Sequence, residues 1–147
     1  MKKIIALLFV VLLVGCDLTT SSDPTTELTQ TSNTTTVTTY PEREYSEFDD
    51  LKITDKDSQL SQIEETYYVY YYGVNCLTCI NIKNEVLSKI ELLQNDKVYL
   101  VQVSSSQDIH DDIAVQYTPT LVEITNGAVV EMYVGAQRIL EVLDQLT

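Results

Sequence analysis

The sequence predicts an α/β fold: a central mixed sheet of four to five strands with helices on both faces. Three observations carry this. A β-α-β unit is written between residues 67 and 103. A β-hairpin with an Asn-Gly turn follows it. Ala136–Leu146 then carries an apolar helical stripe. A parallel β-α-β unit joined to an antiparallel hairpin gives a mixed sheet, and its crossover and terminal helices must cover it.

Each element has its own signal. Asp55–Glu65 reads as a short helix with Leu60 and Ile63 on one side. Tyr67–Tyr72 holds five tyrosines and one valine, all strong strand formers, and Gly73 breaks it. Alternation places Tyr67, Val69 and Tyr71 on one face and Tyr68, Tyr70 and Tyr72 on the other, as in a strand covered on both sides. Cys79, Ile82, Val86, Ile90 and Leu93 recur at three- and four-residue spacing, the stripe of an amphipathic helix that stops at Asn95-Asp96. Val98–Val103 is a second apolar strand. Ser104–Ser106 interrupts the pattern, and Asp108–Val115 reads as a short helix. Thr120–Thr125 and Ala128–Val134 are strands joined by Asn126-Gly127, since a tight hairpin turn needs positive φ at both central residues. Ala136–Leu146 closes the chain as a helix with Ile139, Leu140, Leu143 and Leu146 on one face.

The 147 residues suffice for one domain with a tail. Their 44% apolar and 21% charged content is that of a globular chain. The formal net charge of -13 excludes nucleic acid as a partner, because that binding rests on Lys and Arg neutralising phosphates. It also disfavours strongly acidic protein partners.

The N-terminus addresses the chain. Lys2 and Lys3 precede a short uncharged stretch, Ile4–Gly15, too short to span a bilayer alone and typical of a secretory signal. Leu13-Val14-Gly15-Cys16 resembles the lipobox of bacterial lipoproteins. The resemblance implies removal of residues 1–15, a diacylglycerol on Cys16 and a domain held on the extracytoplasmic side of a membrane. Loss of Lys2 and Lys3 would leave 7 bases against 22 acids. Residues 16–45 then form a linker rich in Thr and without apolar periodicity. Such a chain cannot bury enough surface to offset its ordering entropy. The globular part is expected over 46–147, as a monomer.

With Cys16 assigned to lipid, two of the three cysteines remain, spaced Cys76-Leu77-Thr78-Cys79. They fall where a strand gives way to a helix. There the unpaired N–H groups and the helix dipole favour an anion, and the thiolate is the nucleophile of disulfide exchange. Cys79 lies one turn on, close enough to resolve a mixed disulfide formed at Cys76. C-x-x-C beside a β-α-β pattern is a redox signature. A structural zinc site would want four ligands, and His110 is the one other good candidate, so no metal is assigned. A purely structural disulfide would close a two-residue loop and constrain little of the unfolded chain. Cys79 also opens the apolar stripe, as a partly buried resolving cysteine should.

From Cys76 to the C-terminus the chain resembles thioredoxin: C-x-x-C, a long helix, a strand, then Tyr117-Thr118-Pro119-Thr120-Leu121, Asn126-Gly127 and a last helix. The resemblance implies a thiol–disulfide oxidoreductase with Cys76 and Cys79 as the catalytic pair and no other cofactor. It implies a cis peptide before Pro119, with Thr118 presenting backbone groups to an extended substrate. Tyr72, close to the active-site turn, is the tyrosine expected to touch substrate. The implied partners are exported proteins with thiols or disulfides, and a redox partner in the envelope that resets the pair. Two departures stand out. Asn75 and Leu77-Thr78 replace the Trp and Gly-Pro usual around the cysteines. Tyr70 occupies the place of a buried acid, for which Glu64 or Glu65 acting through water is the available substitute. The other reading is a binding lipoprotein of the same fold whose cysteine pair is static. His110 is read as solvated and without a role, and Lys83 as lying along the helix surface.

Overall fold

A computed structural model describes residues 38–93 and 97–147. The signal stretch, Cys16, most of the Thr-rich linker and Asn95-Asp96 lie outside them.

Four strands form one sheet in the order β2-β1-β3-β4. They are β1 (Thr66–Tyr72), β2 (Val98–Gln102), β3 (Thr120–Thr125) and β4 (Ala128–Val134). β2 runs parallel to β1, while β3 is antiparallel to both β1 and β4. A fifth strand is reduced to one bridge, Lys52 beside Leu100, where Ile53 N–H donates to Leu100 O at 2.9 Å. The mixed α/β class expected from the sequence is the one observed. Asn126 and Gly127 make the β3–β4 turn with φ of 52° and 72°.

The tyrosine strand divides the core as its alternation requires. Tyr68, Tyr70 and Tyr72 enter a cluster with α1 (Leu77–Leu92) and α2 (Ala136–Leu146), built on Val86, Leu87, Ile139 and Leu143. All four of these aliphatics are fully buried. Each contributes about 1.5–3 kcal/mol from burial. Tyr67, Val69 and Tyr71 enter the opposite cluster with Ile53, Ile109, Ile113 and Val122. Both long helices cover the first face. The second is covered by short 3₁₀ helices and loops.

Two expected helices are cut short. Over Asp55–Glu65 only Lys56–Leu60 coils, as a 3₁₀ helix, and Ile63 is 93% exposed. Tyr67 OH donates to Gln59 O at 2.9 Å, so the carbonyl that would continue the helix is taken. Over Asp108–Val115 no helix forms. A 3₁₀ turn, Ser106–Asp108, ends where the Asp108 carboxylate accepts the N–H groups of Ser104 and Ser105. Ile109 and Ile113 are then drawn into the core.

The folded region starts earlier than composition suggests. Residues 40–45, read as linker, lie along α1. Arg43 N–H donates to Asn84 Oδ1 at 3.0 Å, and Arg43 pairs with Glu91. Lys83, on the helix surface as expected, pairs with Glu44 at 2.6 Å. Lys89 lies 5.5 Å from the centre of the Tyr40 ring and pairs with Asp144 of α2. Tyr45 stacks on Tyr72 with ring centres 3.7 Å apart.

Burial raises the phenols of this core. Tyr45 and Tyr99 are pushed up to about 12, Tyr70 and Tyr71 further, in each case chiefly by burial. An unfolded tyrosine ionises near pH ~10. Above that pH the unfolded chain releases protons that the folded one retains, so pH favours unfolding. Stability is therefore fully present below pH about 10 and declines through about 12. Denaturant midpoints should be level at lower pH and fall in that window. A midpoint still level at about pH 12 would contradict the assignment.

Candidate functional site

The Cys76–Cys79 pair sits at the end of the sheet where β1 leaves through Gly73 and α1 begins. Cys76 is the N-cap of α1, with an extended backbone (φ -82°, ψ 108°). Cys76 N–H donates to Gly73 O at 3.2 Å, closing the turn, and Ile80 N–H donates to Cys76 O at 3.0 Å, opening the helix. The Cys76 sulfur accepts the Cys79 N–H at 3.1 Å. This cap satisfies one of the orphan N–H groups of the first turn and aims the helix dipole at the sulfur. The two cysteines form a disulfide with Cα atoms 5.2 Å apart. Cys76 is half-buried, whereas Cys79 is 1% exposed. The core cluster around Val86 and Leu121 takes in Cys79.

The facing loop comes from the start of β3. The Thr118–Pro119 peptide is cis. Thr118 O lies 3.2 Å from the Cys76 sulfur. Two bonds pin this loop: Thr120 Oγ1 donates to Tyr117 O at 2.7 Å, and Gly135 N–H donates to Pro119 O at 3.0 Å. The structure thus brings together Cys76, Cys79, Thr118 and Pro119, four positions that the sequence singles out from segments forty residues apart.

Tyr72 does not join them. It is 1% exposed, and its ring is stacked between Tyr45 and Tyr70. The strand places Tyr72 on the helix-covered face, so it supports the site from within and offers no surface to a substrate. Glu64 and Glu65 are also displaced. They precede β1 at its far end, about 20 Å from its exit at the rise of a strand. The Glu64 carboxylate accepts the Tyr99 hydroxyl at 2.8 Å. Neither can serve Cys79. Tyr70 is fully buried in the cluster that holds Cys79. Its hydroxyl approaches that of Tyr45, and among the described residues neither makes a hydrogen bond of good geometry. His110 has a structural part: its N–H donates to Gln59 Oε1, and its Nδ1 accepts the Asp112 N–H. Among the described residues no three His, Cys, Asp or Glu side chains gather as a metal site.

Sequence reasoning missed two features of the site. One is the stacked Tyr45, which stands at the edge of a low-complexity stretch and has no periodic partner. The other is the exposed apolar set around the disulfide: Val74, Leu77, Ile80 and Tyr117, exposed by 54%, 71%, 53% and 69%. Leu77 and Ile80 fall off the buried stripe of α1, and that position was the available signal.

The thioredoxin family model matches residues 49–147. The chain belongs to the thioredoxin family. Solved thioredoxins share the fold. Thioredoxin f2 from Chlamydomonas reinhardtii superposes with a TM-score of 0.54 at 20% identity, covering 65% of this chain and 94% of its own. A mutant thioredoxin from Halobacterium salinarum gives 0.54 at 20% identity, over 65% and 86%. Oxidised and other thioredoxins from Plasmodium falciparum are also similar, one with a TM-score of 0.52 at 18% identity over 65% and 98%. No curated protein sequence matches the chain. In this thioredoxin domain the C-x-x-C disulfide stands at the head of α1, its first cysteine partly exposed and its second buried.

Proposed function

We propose that this protein is a membrane-anchored, extracytoplasmic thiol–disulfide oxidoreductase acting on cysteines of exported proteins. The observation that supports it best is the asymmetry of the pair. Cys76 is reachable at a helix N-terminus, and Cys79 is buried one turn behind it.

The exchange follows from that asymmetry. A substrate thiolate attacks Cys76 Sγ, the Cys76–Cys79 bond breaks, and Cys79 leaves as a thiolate. A second substrate thiolate attacks the substrate sulfur of the mixed disulfide and releases Cys76. Two substrate thiols become a disulfide, and the protein pair gains two electrons and two protons. Reduction of a substrate runs the same steps backward. A thiol or disulfide partner of the envelope restores the starting state. The helix-end N–H groups stabilise Cys76 as leaving group in both directions. Thr118 O, beside the Cys76 sulfur, lies where an extended substrate backbone would pair. The reduction of insulin disulfides by the full chain with dithiothreitol tests the reading. Wild type should accelerate it and Cys76→Ser should not. Equal rates would reject the oxidoreductase.

The anchor is proposed on Leu13-Val14-Gly15-Cys16. The mature protein should begin at acylated Cys16 by mass spectrometry, and a retained Met1 would refute it.

One observation favours a second reading, a binding module with a static disulfide. Tyr70 supplies no carboxylate beside Cys79, and burial holds its phenol protonated far above neutral pH. Under that reading the pair resists dithiothreitol.

A further inference from the structure

The outer edge of β2 is left partly open, and the hydrogen bonds say where. Tyr68 N–H donates to Lys97 O at 2.8 Å, and Val103 N–H donates to Tyr72 O at 2.7 Å. The odd-numbered residues of β2 thus turn their backbone groups toward β1. Leu100 and Gln102 turn theirs outward. Leu100 O accepts the Ile53 N–H at 2.9 Å. Ser104 N–H, beyond the strand, donates to the Asp108 carboxylate at 2.6 Å. Between these two points the neighbouring chain leaves the sheet. Asp55 accepts the Asp57 N–H and the Ser58 hydroxyl, which starts the 3₁₀ helix over Lys56–Leu60 and carries the chain onto the second face. The N–H and C=O of Gln102 are left without a backbone partner among the described residues. A cavity of about 400 Å³ lies here, lined by Ile53, Thr54, Leu100, Gln102, Ser104 and Asp108. An unpaired rung on a sheet edge is a template for an incoming strand.

Charge selects the occupant. Segments 49–57 and 108–112 hold seven acids against two lysines. Both lysines are already engaged, Lys52 by Asp49 at 2.6 Å and Lys56 by Asp111 at 3.0 Å. The chain's own upstream segment is a poor match, since residues 16–37 contain three acids and no Lys or Arg. A second copy is a poor match as well, because it brings a further net charge of -13.

We propose that the outer edge of β2 at Gln102 is a docking site for a short, extended, basic segment of a partner protein, which adds there as one more strand. Backbone bonds to Gln102 hold the segment, and its Lys or Arg side chains meet the surrounding carboxylates. The site makes no use of the cysteine pair, so it goes beyond the oxidoreductase reading.

Isotope-labelled, oxidised full-length protein is titrated with three cysteine-free heptapeptides with blocked ends. One alternates Lys and Val, one alternates Glu and Val, and the third is the Lys-Val peptide N-methylated at its central residues. With the Lys-Val peptide, amide shifts should concentrate at residues 52–54 and 100–104. N-methylation keeps the charge and removes backbone donors. It should weaken binding at least about tenfold, the worth of one backbone bond. The Glu-Val peptide should bind at least about tenfold more weakly too. Gln102→Pro deletes an outward N–H, a change that edge strands accept, and should cost about as much as N-methylation. Gln102→Ala keeps the backbone and should bind within about twofold of wild type. Should Gln102→Pro fail to fold, the N-methylated peptide on wild-type protein decides alone. Equal affinity for the parent and N-methylated peptides would reduce the effect to charge attraction and overturn the docking strand. Shifts centred on β4 would overturn it in favour of the other edge. A dimer in sedimentation that Gln102→Pro dissolves would assign the edge to a second copy and overturn it as well. No arm involves thiol exchange, so a failure here leaves the oxidoreductase reading standing.

Discussion

Cys79→Ser protein should accumulate partner proteins in mixed disulfides on Cys76, while Cys76→Ser protein should accumulate none. The reason is geometric. In the structure Cys76 is partly exposed at the tip of α1, and Cys79 is sealed in the core with Val86 and Leu121. An incoming thiolate can approach only the first sulfur along the axis of the bond. With Cys79 removed, no internal thiol releases the mixed disulfide, and its lifetime becomes that of slow attack by external thiols. With Cys76 removed, the remaining thiol is unreachable and lies in apolar surroundings, where burial disfavours the thiolate. Turnover should fall by on the order of 10³-fold or more in both variants, because the two sulfurs act as a unit. Non-reducing gels followed by mass spectrometry read the trapped species. Equal trapping on both variants would overturn the division of roles.

Gln59→Ala should be the most damaging conservative truncation on the opposite face of the sheet. Gln59 is 1% exposed and fully engaged. Its amide donates to Asp108 O at 2.6 Å, and its Oε1 accepts the Tyr71 hydroxyl at 2.9 Å and the His110 N–H at 3.0 Å. Truncation strands three polar groups, one of them the buried Tyr71 phenol. Leaving a buried group unsatisfied costs about 1–3 kcal/mol. Partial access of water to Asp108 and His110 brings the expected loss to about 3 kcal/mol. Denaturant unfolding measures it. Gln59→Glu should also destabilise, since the amide donor to Asp108 O is lost and a charge is buried. A loss under about 1 kcal/mol would mean that water replaces the amide. The same substitution should loosen residues 104–113, which Gln59 holds through Asp108 and His110.

These two cases mark what the chain reveals in one dimension. The tyrosine strand, the stripe of α1 and the Asn126-Gly127 turn were legible because each repeats a period or demands a backbone angle. The meeting of Cys76 with Thr118-Pro119 was legible only through the family resemblance, since nothing local links two segments forty residues apart. Gln59 was not legible at all. A polar residue in a short polar run looks solvated until Tyr71, Asp108 and His110 are folded around it. The lost helix over Asp108–Val115 has the same origin. Its side chains satisfy the preceding serines and the opposite core, two demands that outweigh local propensity. Alternation puts Tyr72 on a covered face of its strand, and proximity to the turn does not bring it out to a substrate, because the Tyr45 ring lies over it.

The strap over residues 40–45 fixes where the molecule is held. Tyr40 meets α1 at Lys89, and Lys89 also grips Asp144 near the end of α2. Both ends of the folded chain therefore leave from one pole, about 20 Å down α1 from Cys76 at the rise of a helix. The disulfide has the other pole to itself. The chain that continues from either end of the described region thus starts from the pole away from the disulfide. Tension on the upstream chain would be borne first by Arg43, Glu44 and the Tyr45 stack, and would reach the cysteines only after that clasp had peeled away.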